Sequence, residues 1–161
     1  MIRPAREADI PALMEIYNEA VRNTTATFDL DERDYADRKA WFDAHTGRHV
    51  LYVYEADGVA VGYGSLSKFR EKSAYDGTVE ISLYVHPDHR RKGVGRALMK
   101  EVIRFGRENP EIHTLISCIT AENAASIAMH ERFGFEYCGR IREAGVKFGR
   151  YLDIVYYQMM V

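Results

Sequence analysis

Between Val79 and Leu98 the chain passes from a run of alternating apolar residues, through His86-Pro87-Asp88-His89, into Arg90-Arg91-Lys92-Gly93-Val94-Gly95-Arg96 and directly on into an amphipathic helix. A strand, a basic glycine turn and a helix start in that order leave little conformational freedom. Gly93 and Gly95 let the backbone come close to a guest, the first amides of the helix lack intrahelical acceptors, and the helix dipole favours negative charge there. Arg90, Arg91, Lys92 and Arg96 gather cations around the same point. An oxygen-rich diphosphate meets all of these conditions. Two other phosphate-binding turns are excluded by spacing: a nucleoside-triphosphate loop ends in Gly-Lys-Ser/Thr, and a dinucleotide turn has a third glycine where this chain has Leu98. A glycine pair after a strand also serves as an ordinary turn, so the turn alone leaves both uses open.

The 161 residues suit one domain spanning residues 1–161, and no repeat or linker divides them. With 47% apolar and 29% charged residues and a net charge of -2, the chain is neither disordered nor a nucleic-acid-coating protein, and no nucleic-acid partner is expected. Cys118 and Cys138 lack a Cys-x-x-Cys spacing, which argues against a disulfide framework or zinc site. The six histidines are scattered without acidic partners at ligand spacing, so no metal is expected. The opening MIRPAREADI carries charge where a signal peptide needs an apolar stretch, and no run approaches the roughly 20 apolar residues of a spanning helix. A cytoplasmic protein without a membrane partner is the expectation.

Periodicity places the elements. Ile2 to Pro4 is a short edge strand, and Asp9 is expected to cap a helix whose Ile10, Leu13, Met14, Tyr17, Ala20 and Val21 share a face. A second helix spans Tyr35 to Ala44. Val50–Ala56 and Val59–Leu66 flank Asp57-Gly58 as an antiparallel hairpin. Val79–Val85 is a strand, and Leu98, Met99, Val102, Ile103 and Phe105 define a helix stopped by Asn109-Pro110. Strands at 114–119, 135–140 and 152–159 and a short helix from Asn123 to Phe133 complete the series. Antiparallel strands followed by strand–helix alternation predict an α/β domain with a mixed sheet and helices on both faces.

Arg90-Arg91-Lys92-Gly93-Val94-Gly95 also matches Arg/Gln-x-x-Gly-x-Gly/Ala, the motif of the GNAT superfamily of N-acetyltransferases. The chain resembles that family over nearly its whole length, through Asn123-Ala124-Ala125-Ser126, His130-Glu131-Arg132-Phe133-Gly134-Phe135 and Gly145-Val146-Lys147-Phe148-Gly149-Arg150. Within it, Ile16-Tyr17-Asn18, Thr78-Val79-Glu80, Tyr84-Val85-His86-Pro87 and Val146-Lys147-Phe148-Gly149 are similar to the branch of phosphinothricin acetyltransferases and L-amino-acid N-acyltransferases. The resemblance implies a single-domain α/β (α+β) fold with a mixed, mostly antiparallel seven-stranded sheet splayed at its middle strands. It implies acetyl-CoA as co-substrate and a small amine as acceptor, such as phosphinothricin, methionine sulfone or methionine sulfoximine. Polyamine, aminoglycoside or protein N-terminal acceptors, and a CoA-binding module without catalysis, stay open. A homodimer is allowed both by the resemblance and by the Tyr-rich Val155-Tyr156-Tyr157 end.

Carried onto this sequence, the resemblance implies that the backbone of Leu83, Tyr84 and Val85 runs beside the pantetheine arm, while Arg90 and the amides of Arg91, Lys92, Gly93, Val94, Gly95 and Arg96 hold the pyrophosphate. The Val85 amide would face the oxyanion, a preorganised donor worth roughly 3 kcal/mol. Glu80 would take the proton that an ammonium must lose before it attacks, and His130 would donate to the departing thiolate. Asn123 and Ser126 would contact the pantetheine and phosphate regions, and Arg132 a CoA phosphate. By position alone Glu80 could equally face solvent, Asn123 cap a helix, and His130 and Arg132 lie on a solvated helix face. For the acceptor, Phe28, Arg70, Lys72, Tyr75 and Lys147 supply cations and aromatic walls near the expected rim, although residues before Thr78 depart from the phosphinothricin pattern. Ile116, Ser117 and Ile119 around Cys118 predict a packed thiol, so direct attack in a ternary complex is expected instead of an acyl-cysteine.

Overall fold

A computed structural model describes residues 1–161. Its strands are β1 (Ile2–Pro4), β2 (Val50–Ala56), β3 (Val59–Lys68), β4 (Thr78–Val85), β5 (Thr114–Thr120), β6 (Glu136–Lys147) and β7 (Arg150–Met160). They form one sheet in the order β1-β2-β3-β4-β5-β7-β6, with β4 and β5 as the single parallel pair. Asp57 and Gly58 both adopt positive φ, 51° and 78°, in a two-residue turn that pairs Ala56 with Val59 and matches the twist of the flanking strands.

Helices cover both faces. α1 (Ile10–Asn23) and α2 (Tyr35–Asp43) lie on one side, where Leu13 and Ile16 bury against Leu51, Val53 and Tyr63. α3 (Val94–Glu108) and α4 (Ala124–Arg132) lie on the other. There Leu98, Met99 and Val102 pack on Leu66, Val79, Ile81 and Leu115 in the larger core. α3 approaches the sheet closely because β3 carries glycine beneath it: a Cβ on Gly62 would stand 2.9 Å from Val94 Cγ1, and one on Gly64 3.3 Å from Val102 Cγ1. No helix is long and apolar enough to cross a membrane.

Three local expectations are corrected. Asp9 does not cap α1; its carboxylate accepts from the Arg6 amide at 2.7 Å and pairs with Arg3 at 2.8 Å, tying β1 to the turn before the helix. β6 continues seven residues past Arg140 to Lys147, because irregularities at Gly139 and near Glu143 interrupt the alternation by which a strand is recognised. In the Tyr-rich end, expected as a surface run, Val155 and Tyr157 are instead buried in the core, while Tyr156 is half-buried and Met160 exposed.

Candidate active site

The parallel ladder between β4 and β5 stops early. Thr78, Val79 and Glu80 pair with Thr114, Leu115 and Ile116, and beyond that point the strands part although β4 runs on to Val85 and β5 to Thr120. A cavity of about 70 Å³ opens between them, lined by Ile81–Tyr84 from β4, Ser117–Thr120 from β5 and Asn123, Ser126 and His130 from the cap, first turn and last turn of α4. The expected splay is therefore present, and its backbone orientation follows from β3. The His86 amide donates to Val61 at 2.8 Å, which makes Gly62↔Val85 and Gly64↔Leu83 the non-hydrogen-bonded pairs of that ladder. The N–H and C=O groups of Leu83 and Val85 thus point into the gap.

The gap continues into a cleft of about 1030 Å³ at the N-terminus of α3. Gly93, at the N-cap of α3, is left-handed, φ 83°, as is Arg91 at 60°. Conformation is what requires glycine at 93, because a Cβ there would meet nothing. The Ala97 amide is bonded back to the Gly93 carbonyl at 3.0 Å, and the amides of Val94, Gly95 and Arg96 before it have no intrahelical acceptor. Arg90, Arg91, Gly93, Gly95 and Arg96 line the cleft, together with Leu83, Tyr84, Val85, Asn123 and Ser126. Val94 contributes its backbone only, since its side chain is buried under β3. Arg90 is partly committed: its guanidinium bonds the Val85 carbonyl at 3.1 Å and Glu19 at 2.7 Å. Lys92 and Arg132 are exposed and line neither opening. Free amides at a helix start, three arginines and a strand edge in line with them suit a diphosphate carried on an extended amide-containing arm.

Glu80 is half-buried at the last rung before the gap, and burial raises its carboxyl above the ordinary range. It is close enough to Cys118 and Tyr156 on the same face for its charge to raise both of their pKa values. Cys118, expected to be packed, opens onto the cavity; the protein around it pushes the thiol up, which disfavours a nucleophilic thiolate.

His130 is neither a surface histidine nor a free donor. It is 4% exposed, and its Nδ1 lies 2.7 Å from the Ser126 carbonyl oxygen, which can only accept, so the ring proton sits on Nδ1. Nε2 then accepts from the Ser117 hydroxyl at 2.7 Å. Burial lowers the imidazole pKa, partly opposed by the Ser126 carbonyl. Asn123 caps α4, its side-chain oxygen accepting from the Ser126 amide at 3.2 Å, and still lines both openings. Ser117 escaped sequence reasoning because a single serine in Leu-Ile-Ser-Cys-Ile carries no mark of which face it occupies.

The acceptor-side residues separate. Lys147 is 3% exposed and donates to the Thr27 carbonyl at 2.8 Å, so it is not a cation at the rim; burial lowers its pKa. Phe28 lies over Gly145, where a Cβ would come within 2.5 Å of its ring. Together with the Thr120 hydroxyl bonded to the Thr25 carbonyl, these contacts pin the segment after α1 beside the gap, with Ala26 lining both openings. Arg70 stacks over Phe69 and Tyr75, 4.9 and 5.7 Å from the ring centres, and its charge lowers the Tyr156 pKa. Lys72 is exposed nearby.

Comparison with known proteins adds an independent line. A model of the acetyltransferase (GNAT) domain matches residues 2–156. An L-methionine sulfoximine/L-methionine sulfone acetyltransferase of Pseudomonas paraeruginosa is 42% identical over 160 residues, covering 98% of this chain and 92% of the relative. The crystal structure of a ribosomal-protein-alanine N-acetyltransferase from Brucella melitensis superposes with a TM-score of 0.96 at 41% identity, covering 100% and 99% of the two chains. A phosphinothricin acetyltransferase from Sinorhizobium meliloti, in complex with acetyl-CoA, gives 0.94 at 34% identity, covering 100% and 88%.

Proposed function

The chain belongs to the acetyltransferase (GNAT) domain family and is an acetyl-CoA-dependent N-acetyltransferase; on that premise we propose that it acetylates a small amino-acid-like amine of the methionine sulfone, methionine sulfoximine or phosphinothricin type, by direct attack in a ternary complex. The observation that carries this is the gap between β4 and β5, with Glu80 at its closed end and unpaired Leu83 and Val85 amides along its edge. Acetyl-CoA supplies an activated acyl group as a thioester. The amides of the Arg91–Arg96 turn, with Arg90 and Arg96 beside them, hold the diphosphate; Leu83 and Val85 align the arm as an added strand would. The Val85 amide, turned away from β3 by the strand register, is a fixed donor for the developing oxyanion.

Glu80 removes the ammonium proton, directly or through one water; a carboxyl already raised by burial is better matched to that task near neutral pH. On the same face, Arg70 with Phe69 and Tyr75 offers a cation framed by aromatic rings, which suits an acceptor carboxylate. A polyamine would call for acidic walls there. The exposed apolar side chains of Tyr137, Ile141, Val146, Phe148 and Tyr151 on the β6–β7 edge mark the surface on which a second copy would complete the acceptor pocket. A reducing cytoplasm suits the two free thiols, Cys118 and Cys138.

A panel of amines scored by release of CoA thiol tests the acceptor. Methionine sulfone, methionine sulfoximine and phosphinothricin are expected to exceed polyamines, aminoglycosides and alanine-initiated peptides in kcat/KM; a peptide or polyamine at the head of the panel would overturn the acceptor class. Light scattering over a concentration series tests the dimer, which a strict monomer would eliminate.

A further inference from the structure

The Ser117–His130 pair is the most deeply buried polar contact at the gap. Ser117 is 2% exposed and His130 4%, and both line the cavity where β4 and β5 have separated. The imidazole has a fixed orientation. Its single proton is held on Nδ1 by the Ser126 carbonyl, and burial lowers its tendency to take a second. The side of His130 that faces the gap is therefore a lone pair, already occupied by the Ser117 hydroxyl at 2.7 Å. A neutral ring in that tautomer has no proton to offer a leaving sulfur. The proton between the ring and the cavity belongs to Ser117.

We infer that Ser117 is a catalytic residue whose hydroxyl donates to the departing sulfur of acetyl-CoA, with His130 as the positioning residue that holds the hydroxyl in place beforehand. This rests on the proposed use of the gap for the thioester. In the resting protein the O–H points at Nε2. As the carbon–sulfur bond breaks and its electron pair passes to sulfur, a rotation about the Ser117 Cα–Cβ and C–O bonds transfers the hydrogen bond from a neutral nitrogen to an anion. Charge-assisted bonds are about twice as strong as neutral ones, so the exchange is favourable in the transition state and absent in the ground state. Ser117 keeps its proton throughout; the sulfur leaves as thiolate, and Glu80 holds the proton that the amine gives up. The other β5 hydroxyl at the gap, on Thr120, is committed to the Thr25 carbonyl.

The test is the pKa of CoA thiol bound to the enzyme, followed by the ultraviolet absorbance of the thiolate, in wild-type protein and in Ser117→Ala. Loss of the donor is expected to raise the bound thiol pKa by about one unit and lower kcat about tenfold, with KM for acetyl-CoA little changed. Desulfo-CoA should bind both proteins equally. An unchanged thiol pKa, or an equal loss of desulfo-CoA binding, overturns the role of Ser117 while leaving the acetyltransferase reading intact; failure of wild-type protein to bind CoA sinks both. Nitrogen NMR of His130 in the unloaded protein supplies a readout independent of turnover: the Nδ1–H tautomer is expected in wild type and in Ser117→Ala, and the Nε2–H tautomer in wild type would overturn the inference.

Discussion

The molecule holds two serine–histidine pairs of nearly the same local chemistry. His130 directs Nδ1 to the Ser126 carbonyl and Nε2 to Ser117; His45 directs Nδ1 to the Trp41 carbonyl at 2.7 Å and Nε2 to Ser67 at 2.9 Å. In each case the carbonyl belongs to the residue four positions earlier, and burial lowers the imidazole pKa. The strands beside them differ. Ser67 stands opposite Glu80 in a β3–β4 ladder that continues unbroken to Gly62↔Val85, whereas Ser117 lies one residue past the last rung between β4 and β5. His45 also rests edge-on against Trp41, ring centres 4.9 Å apart, under α2. The same pair of side chains is structural where the sheet is closed and faces a cavity where it is open.

The largest effect should come from Glu80, which touches both situations: it pairs with Ser67 on one side and is the last residue paired with β5 on the other. Glu80→Gln is expected to lower kcat roughly 10²-fold or more near neutral pH while acetyl-CoA affinity by calorimetry is kept. Because the folded pKa is raised, the wild-type rate should fall as pH drops through a value above the ordinary glutamate range, and the variant should lack that limb. A loss below about threefold would place the base elsewhere.

Next in size, His130→Ala should reduce kcat about tenfold, whereas His45→Ala should leave the rate within about twofold and cost about 1–3 kcal/mol in denaturant unfolding. Equal rate losses would break the contrast between the pairs. A smaller effect is expected in the dependence of stability on pH. Both folded imidazole pKa values lie below the ordinary 6.5, so the unfolded chain binds protons that the folded one refuses. The stabilisation is full above about pH 6.5 and is lost as pH falls through the lowered values. His45→Asn should flatten that slope, and an unaltered slope would mean that the ring is not desolvated. Ser67→Ala closes the series, with a cost of about 1 kcal/mol and kcat within about twofold.

The conformation of the Arg90–Gly95 turn was legible because it rests on local order: a strand, a turn with left-handed glycine, a helix start. The turn at Asp57-Gly58 was legible for the same reason, since its φ values are set by residue type. Lys147 was misjudged. It stands directly opposite Arg150, whose guanidinium meets Glu122 at the cleft, but its own ammonium is buried on the Thr27 carbonyl, and the bulges in β6 disturb the alternation from which its face would be read. Cys118 was expected inside for want of knowing where β4 leaves β5.

Residues near in sequence thus determined the element order, the Asp57-Gly58 hairpin turn and the amide-rich start of α3, because backbone conformation and hydrogen bonding over a few residues depend on local side chains. The early end of the β4–β5 ladder, the burial of Lys147 and the meeting of Ser117 with His130 were decided by tertiary structure. Each depends on which strands lie side by side and where they diverge, and that serine and its histidine stand thirteen positions apart in the chain.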